Sequence, residues 1–464
     1  MIDNLIVLSY LILILFIGVY YRSKSGSFKS FATVKDSTRK NKLLLVATIF
    51  VASVGGGTTF GIAEKSFSGN LAYTYALILT IPIDLLVAKY IVPKLSKHYG
   101  AQSIGDIMEP YYGCAGRLLA GIAAIIISIG LVAAQISVSG RIFQYILKTD
   151  YLYGVILSYS IVITYTTIGG LRAVMFTNFL QFFSMLIAIP VITIAGINVI
   201  GFENFIENFP RDKAFFSNTN NLLKDTITVT LGFAVMGMYP NFIQRTLINN
   251  DHSATTKAIY YKTAIFAVFL LFITLNGLIA YQLYPAQAPS LVLPYLIDQI
   301  IPVGLKGLVV VGLLAAVMST ADSDLNVTSI SLVKDLFSPI FKEHDQQKLL
   351  YIARITNIIM GSSAIVVALT FTNIVDLVVF SAGFWAPMIL VPLIFALFDI
   401  TIPKVMMIIS SISGVSSFLI WEYCFACDYD LKGVFVGTLM SLTVFLSACV
   451  FTKGSGTTGK DHVS

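Results

Sequence analysis

The amino-acid sequence predicts an all-α membrane protein that crosses the bilayer about thirteen times. Hydrophobic residues make up 56% of the 464 residues, charged residues only 12%, and the mean hydropathy is +0.84. A chain with so much apolar surface cannot bury all of it in a water-soluble core. The apolar residues also fall in runs that are long enough for helical spans. We therefore expect residues 1–464 to form a single polytopic domain surrounded by the lipid bilayer.

Thirteen apolar runs with polar flanks are the candidate spans. The first run resembles a signal peptide in length, but Asp3 precedes it and no small-residue cleavage site follows, so we expect it to be retained. The runs lie at residues 3–22, 43–64, 71–93, 117–147, 152–168, 178–200, 226–248, 258–283, 303–336, 349–370, 375–398, 403–422 and 432–451.

The Lys and Arg residues predict the orientation of these spans. With the N-terminus outside, most of the 30 cations lie in cytoplasmic loops, above all in the 22–42 loop, as the positive-inside rule requires. The C-terminus is then cytoplasmic, and the cell membrane is the expected location. The net charge of +6 falls in these short loops and forms no basic patch with interleaved aromatics, so nucleic acid is not an expected partner.

Two spans contain residues that break helices in mid-membrane. The second span reads ATIFVASVGGGTTFGIAE over 47–64, and the seventh reads TITVTLGFAVMGMYPNFIQR, with Gly232, Gly237 and Pro240. Glycine costs about 1 kcal/mol and proline about 3 kcal/mol in a helix interior. Breaks in a bilayer are tolerated where backbone groups line a cavity. Both helices are therefore expected to unwind, although the three glycines at 55–57 are equally consistent with close helix packing.

The two broken spans occupy equivalent places in the chain. When the first span is set aside, residues 43–200 and 226–398 form two halves of five spans, each beginning with a broken helix. This arrangement is typical of an inverted-repeat transporter with its binding site at the midplane. Residues 1–42 then add an N-terminal helix and a loop, 403–452 add two C-terminal helices, and the polar tail 453–464 is expected to be disordered.

A polar stripe interrupts the ninth span, which reads GLLAAVMSTADSDLNVTSISLVKDLF over residues 312–337. At 100° per residue, Ala316, Ser319, Thr320 and Ser323 fall on one face of a helix. A carbonyl and hydroxyls then face one point without formal charge, in a region where polar groups are costly and usually functional. Such a set of neutral oxygens suits a small, hard, monovalent cation.

These motifs resemble those of the sodium:solute symporter family, which includes proline, sugar, pantothenate and choline symporters. The similarity runs from about residue 43 to residue 400. The most specific motif is AAVMSTADSDLNVTSISLVKDLF, and it is supported by VASVGGGTTFGIAE, by GGLRAVMFTNFLQ at 169–181 and by NFIQRTL at 241–247. The family has a LeuT-type fold, so the resemblance implies the same five-plus-five inverted repeat as the broken helices do.

The resemblance also implies a site for sodium, which would be a transported co-substrate and not a resident cofactor. No organic cofactor is expected. In the family, the ion lies between the broken first core helix and the eighth core helix. Carried over by motif, its ligands are three backbone carbonyls and two hydroxyls, those of Val51, Val54, Ala316, Ser319 and Thr320.

One position departs from the family pattern. The family usually has Thr-Asp where this chain has Thr177 and Asn178, so a carboxylate near the ion's cytoplasmic exit is missing. We hypothesise that Asp322 or Asp324 supplies this charge, since each lies about one turn below a hydroxyl of the stripe. The alternative is that both acids merely cap or solvate the inner vestibule.

The expected solute pocket is small and mostly neutral. Its candidate residues surround the second and seventh spans: Ser53, Gly55, Gly56, Gly57, Thr58, Thr80 and Tyr239. The matched positions carry too few aromatics for choline, and Gly57, Thr58 and Leu77 replace the side chains that grip a sugar. We therefore expect an amino acid, with proline first, although Tyr239 is equally consistent with ordinary packing.

Other functions stay open on the sequence alone. Alternative solutes are pantothenate, a monocarboxylate or a choline-like amine, and an alternative coupling ion is a proton carried by Asp84 or Asp322. Asp84 is a functional candidate because it lies within a span, but it is also near enough to Lys89 to be solvated. A solute sensor that does not transport is a further alternative. No catalytic or metal-binding pattern is visible, so no enzyme is expected, and the oligomeric state is not predicted.

Overall fold

The computed structural model describes residues 2–34, 42–211, 222–236, 238–370, 374–425 and 431–454. Within these residues, all regular secondary structure is helical. The first half of the chain contains α1 (Ile2–Tyr21), α2 (Phe28–Ala32), α3 (Lys42–Val51), α4 (Ile62–Phe67), α5 (Ala72–Leu86), α6 (Val92–Leu95), α7 (Ile104–Tyr145), α8 (Tyr151–Ile200) and α9 (Phe202–Glu207). The second half contains α10 (Leu222–Met236), α11 (Pro240–Thr246), α12 (His252–Leu283), α13 (Val292–Ile300), α14 (Leu305–Ser331), α15 (Ser338–Phe341), α16 (Gln346–Thr370), α17 (Ile374–Trp385), α18 (Val391–Leu397), α19 (Lys404–Cys424) and α20 (Gly433–Gly454).

Ten helices in the described part are long and apolar enough to cross a membrane. Several of them join two consecutive elements through π-helical turns, such as Leu332–Phe337 between α14 and α15. The all-α membrane class is therefore confirmed, whereas the count of thirteen spans stays a prediction. The last ten residues of the tail, for which we expect disorder, lie outside the described residues.

Both expected helix breaks are present. Helix α3 ends at Val51, and helical structure resumes only at the π-helical turn Gly57–Gly61 before α4. Helix α10 ends at Met236 and α11 begins at Pro240, after a positive φ of 58° at Met238. Gly237, the other residue expected to weaken this span, is outside the described residues. Consecutive glycines thus accompany the break in the second span, and a proline accompanies the break in the seventh, so that each span is divided into two half-helices.

The residues between the fifth and sixth candidate spans do not form a loop. Residues 169–177 are helical and mostly buried within α8, which is interrupted only at Gly170, with φ 59° and ψ −160°. Glycine adopts this conformation without a Cβ clash, so one residue turns the chain and helical structure continues on both sides. A similar interruption at Gly113 lets α7 begin at Ile104, well before the expected start at 117.

Helix α14 forms the centre of the fold. It packs against α7, α8 and α1, and nearly all of its side chains from Gly307 onward are buried. Asp3 on α1 accepts hydrogen bonds from the amides of Gly304 and Gly307, at 2.8 and 2.7 Å, at the start of α14. A carboxylate at this position satisfies free amides and complements the helix dipole. The additional N-terminal helix is therefore built into the core.

A second ionic contact lies near the same end of α14. Asp298 on α13 binds Lys148 at 2.7 Å and Lys306 at 2.9 Å. Partial burial raises the pKa of Asp298, but hydrogen bonds from the two lysines lower it by more, so its pKa lies below the ordinary value of an aspartate. The ion pairs join α13, α14 and the loop after α7.

Candidate functional site

The five oxygens expected to bind sodium lie together at the break after α3. The hydroxyl Oγ1 of Thr320 is 3.4 Å from the carbonyl oxygen of Val51, 3.3 Å from that of Val54 and 3.4 Å from that of Ala316. The hydroxyl of Ser319 is 3.2 Å from the same carbonyl of Ala316. The structure thus brings together the unwound segment and α14, although the residues are more than 260 positions apart in the chain.

Close backbone approach at Gly55 makes this arrangement possible. A Cβ atom on Gly55 would lie 3.0 Å from Thr320 Oγ1 and 2.9 Å from Gln135 Oε1, which is tighter than nearly all real contacts. Gln135 on α7 also accepts a hydrogen bond of 2.6 Å from the amide of Gly56. The second span therefore needs small residues for both reasons that its sequence suggested, unwinding and close packing. Gln135 itself was missed, because nothing in the sequence of α7 links it to the break.

Asp322 contacts Thr177, the residue that precedes Asn178 in the chain. Its carboxylate accepts hydrogen bonds from Tyr165 at 2.5 Å, from Thr177 at 3.4 Å and from Ser323 at 3.1 Å. Thr177 is next in the chain to Asn178, whose amide donates to Thr48 on α3 at 3.3 Å. The Asp322 carboxylate is therefore close to α8 at Thr177, directly before Asn178.

Asp324 has a different environment from Asp322. Both of its carboxylate oxygens are buried and have no hydrogen-bond partner among the described residues. Arg245, at the end of α11, is fully buried and donates to Ser323 at 2.7 Å, while its Nε and Nη1 atoms have no such partner in the same part of the chain. Its burial next to two aspartates depends on tertiary packing.

A cavity of about 270 Å³ adjoins the break on the side of α5, α11 and α12. Thr320 lines this cavity. So do six of the residues predicted to bind the solute, which are Ser53, Gly55, Gly57, Thr58, Thr80 and Tyr239. Gly56 is the exception, because it is buried behind the wall against Val138 and Gln135. The cavity and the oxygen cluster therefore share the unwound segment.

Asp84 also lines this cavity, and its partner is Lys262 rather than Lys89. The Nζ atom of Lys262 on α12 lies 2.7 Å from Asp84 Oδ2. A signal for this lysine is visible in the sequence, since Lys262 lies within an apolar span, where a charged residue is a functional candidate by default. Its contact with Asp84 joins α5 to α12 at the cavity wall.

Comparison with known proteins identifies the family of the chain. A sequence model described as "Sodium:solute symporter family" matches residues 41–403. The sodium/sialic acid symporter NanT of Aliivibrio fischeri is 21% identical over 379 residues, covering 77% of this chain and 74% of the relative. The high-affinity proline transporter PutP of Bacillus subtilis is 27% identical over 422 residues, covering 84% and 87%.

Solved structures agree at the level of the fold. The substrate-bound outward-open state of a Na⁺-coupled sialic acid symporter superposes with a TM-score of 0.83 at 18% identity, covering 97% of this chain and 98% of that one. MhsT in complex with L-phenylalanine gives a TM-score of 0.53 at 16% identity, with 88% and 99% covered. The expected LeuT-type fold is thereby confirmed. The chain belongs to the sodium:solute symporter family and is a sodium-coupled membrane transporter of a small solute, not an enzyme.

Proposed function

We propose that this protein moves a zwitterionic amino acid together with sodium by alternating access, with proline the first candidate. The protein lies in the cell membrane with its N-terminus outside and its C-terminus in the cytoplasm. The observation that carries the proposal is the meeting of five neutral oxygens with a solute-sized cavity at one unwound helix. An ion and a solute bound on the two sides of one segment are coupled through its conformation.

Sodium binds to the carbonyls of Val51, Val54 and Ala316 and to the hydroxyls of Ser319 and Thr320. These oxygens replace part of the hydration shell of the ion without placing a carboxylate in its first shell. Because the ligands come from the unwound segment and from α14, the ion holds these two elements together. Sodium therefore favours the outward-open state that accepts the solute, to the extent that it binds this state more tightly.

Asp322 supplies the charge that Asn178 lacks on the ion's exit path, and Asp324 does not. The contact with Thr177 supports this choice, since it places the Asp322 carboxylate next to the residue that precedes Asn178 on α8. Asp324 has no hydrogen bond to that helix among the described residues and lies near Arg245 instead. A carboxylate close to a sodium path lowers the energy of the ion through the low-dielectric interior.

The size and polarity of the cavity support a small zwitterion. A volume of about 270 Å³ suits an amino acid better than a large sugar acid. Relatives of similar identity include a proline transporter, a sialic acid symporter and, in Haemophilus influenzae, a sodium/pantothenate symporter at 23% identity over 346 residues. The proposal of an amino acid therefore depends on the residues of the cavity and not on the relatives.

Uptake into proteoliposomes tests the proposal. A panel of labelled amino acids, amines, carboxylates and sugars is measured with an inward sodium gradient and with an equal potassium gradient. Uptake of an amino acid only with sodium supports sodium symport. Uptake driven by a pH gradient in sodium-free buffer indicates proton coupling, and binding without uptake indicates a sensor.

The same assay separates the two aspartates. We expect Asp322→Asn to raise the sodium concentration for half-maximal uptake about tenfold, and Asp324→Asn to change it less than threefold. Equal effects of the two variants would contradict the assignment of Asp322 to the exit path.

A further inference from the structure

The ion pair between Asp84 and Lys262 is asymmetric. The Lys262 side chain is only 5% exposed, whereas that of Asp84 is 32% exposed. The ammonium of Lys262 also lies 5.6 Å from the centre of the Phe266 ring, so its environment is a carboxylate and an aromatic face. Both residues line the cavity, but the lysine is almost completely buried and the carboxylate is the more exposed part of the pair.

The position of the pair distinguishes it from a structural salt bridge. Asp84 is the single acidic side chain among the described residues that line the cavity, and Thr80, one helical turn earlier, lines it too. The unwound segment with Ser53 and Gly55 forms another part of the same wall. Burying two charges within a membrane protein is costly. A pair that served packing alone would gain nothing from an accessible carboxylate in the solute cavity.

We propose that Asp84 binds a positively charged nitrogen of the transported solute, and that Lys262 is a positioning residue which fixes the carboxylate. The lysine binds Oδ2, so Oδ1 is the oxygen that accepts from the solute. The solute class is therefore a compound with a cationic nitrogen, bound between the unwound segment and α5. This inference rests on the proposed function for the location of the solute but not for the identity of the coupling ion.

Binding to the wild-type protein gives the first test. Stabilisation of the detergent-purified protein by each compound is measured at saturating NaCl as a shift in melting temperature. The panel pairs L-proline with cyclopentanecarboxylate, which has the same ring without the nitrogen, and adds the other amino acids, nitrogen-free monocarboxylates and D-glucose. We expect stabilisation only by compounds with a cationic nitrogen. The inference is overturned if only nitrogen-free compounds stabilise the protein, or if none of the compounds with a cationic nitrogen does.

Variants then test the two residues, using the tightest-binding nitrogen compound of the panel. We expect Asp84→Asn to raise its dissociation constant about tenfold to a hundredfold, since a hydrogen bond between charged groups is lost. Asp84→Glu should recover part of the affinity. Lys262→Met should weaken binding as well, and Lys262→Arg should restore it. Asp298→Asn is the matched control, because Asp298 is also a lysine-paired carboxylate but lies away from the cavity.

Two measurements distinguish solute binding by Asp84 from a purely structural role. They are the selectivity for the amine over its nitrogen-free analogue and the stabilisation of the variant by sodium. If Asp84 contacts the nitrogen, Asp84→Asn reduces the ratio of affinities between the amine and its nitrogen-free analogue at least tenfold, while sodium alone stabilises the variant as it does the wild type. An unchanged ratio overturns the inference. Nitrogen-dependent binding with uptake that ignores the sodium gradient would instead contradict sodium coupling and leave the role of Asp84 intact.

Discussion

Replacement of Thr320 by valine is the sharpest test of the sodium site. Valine has nearly the same shape as threonine, so Thr320→Val removes one oxygen and leaves the packing of α14 unchanged. In the structure, this hydroxyl is 3.3 to 3.4 Å from its three carbonyl neighbours. Good O–H···O bonds measure about 2.7–2.8 Å, so these contacts are weak and their loss changes the free energy of unfolding by less than about 1 kcal/mol.

The sodium-bound protein should respond far more strongly. Loss of one of five oxygens from a cation resembles the loss of a hydrogen bond to a charged group, which is worth about 1.5–3 kcal/mol. The sodium concentration for half-maximal uptake should therefore rise about tenfold to a hundredfold. The maximal rate at saturating sodium should fall much less, because the solute cavity is intact.

Uptake is measured in proteoliposomes over a sodium series, and the melting temperature is measured with and without sodium. Thr328→Val is the control, because Thr328 is a buried threonine of the same helix. Among the described residues its hydroxyl bonds only within that helix, to the Asp324 carbonyl at 2.8 Å. The reasoning is refuted if Thr320→Val keeps the wild-type sodium dependence, or if the control shifts it equally.

Three further predictions follow from close contacts and one ion pair. Gly55→Ala should abolish sodium-dependent uptake, because its Cβ would lie 3.0 Å from Thr320 Oγ1, while Gly57→Ala, with nothing within 4 Å, should remain active in the same assay. Gly170→Ala should lower the melting temperature and the yield of folded protein, at a cost of about 2 kcal/mol or more, since it combines a positive φ with a Cβ 2.6 Å from a phenylalanine ring; an unchanged melting temperature would show that α8 can straighten. Asp298→Asn should cost about 1 kcal/mol or less at pH 7. Because the folded pKa of this aspartate is depressed, its contribution is present above the ordinary pKa of about 4 and is lost as the pH falls through the folded value, so melting curves of variant and wild type should converge in acid and not in alkali.

The mechanism links these predictions through one segment of backbone. Residues 52–55 are non-helical. Val54 contributes its carbonyl to the oxygen cluster, and Ser53 and Gly55 line the solute cavity. Under the proposed mechanism, an ion on one side and a solute on the other both stabilise a defined shape of this segment. Each ligand therefore favours binding of the other, by an amount equal to the coupling free energy between the two sites.

The sequence alone determined the class of the protein, the two helix breaks and the polar stripe of α14. These features depend on local energetics: long apolar runs need lipid, consecutive glycines and a proline weaken a helix, and residues at 100° spacing share a face. The polar stripe indicated Ala316, Ser319 and Thr320 as candidate ion ligands, and the family resemblance added Val51 and Val54.

Only the tertiary structure decided which partners the buried polar groups have. Asp84 lies five residues from Lys89, yet it binds Lys262, 178 positions away in the chain. Asp322 and Asp324 look equivalent in sequence, but a rotation of about 200° along the helix turns one toward α8 and the other away from it. Long-range packing places groups from distant segments in contact, and the periodicity of a single helix contains no information about the helices that surround it.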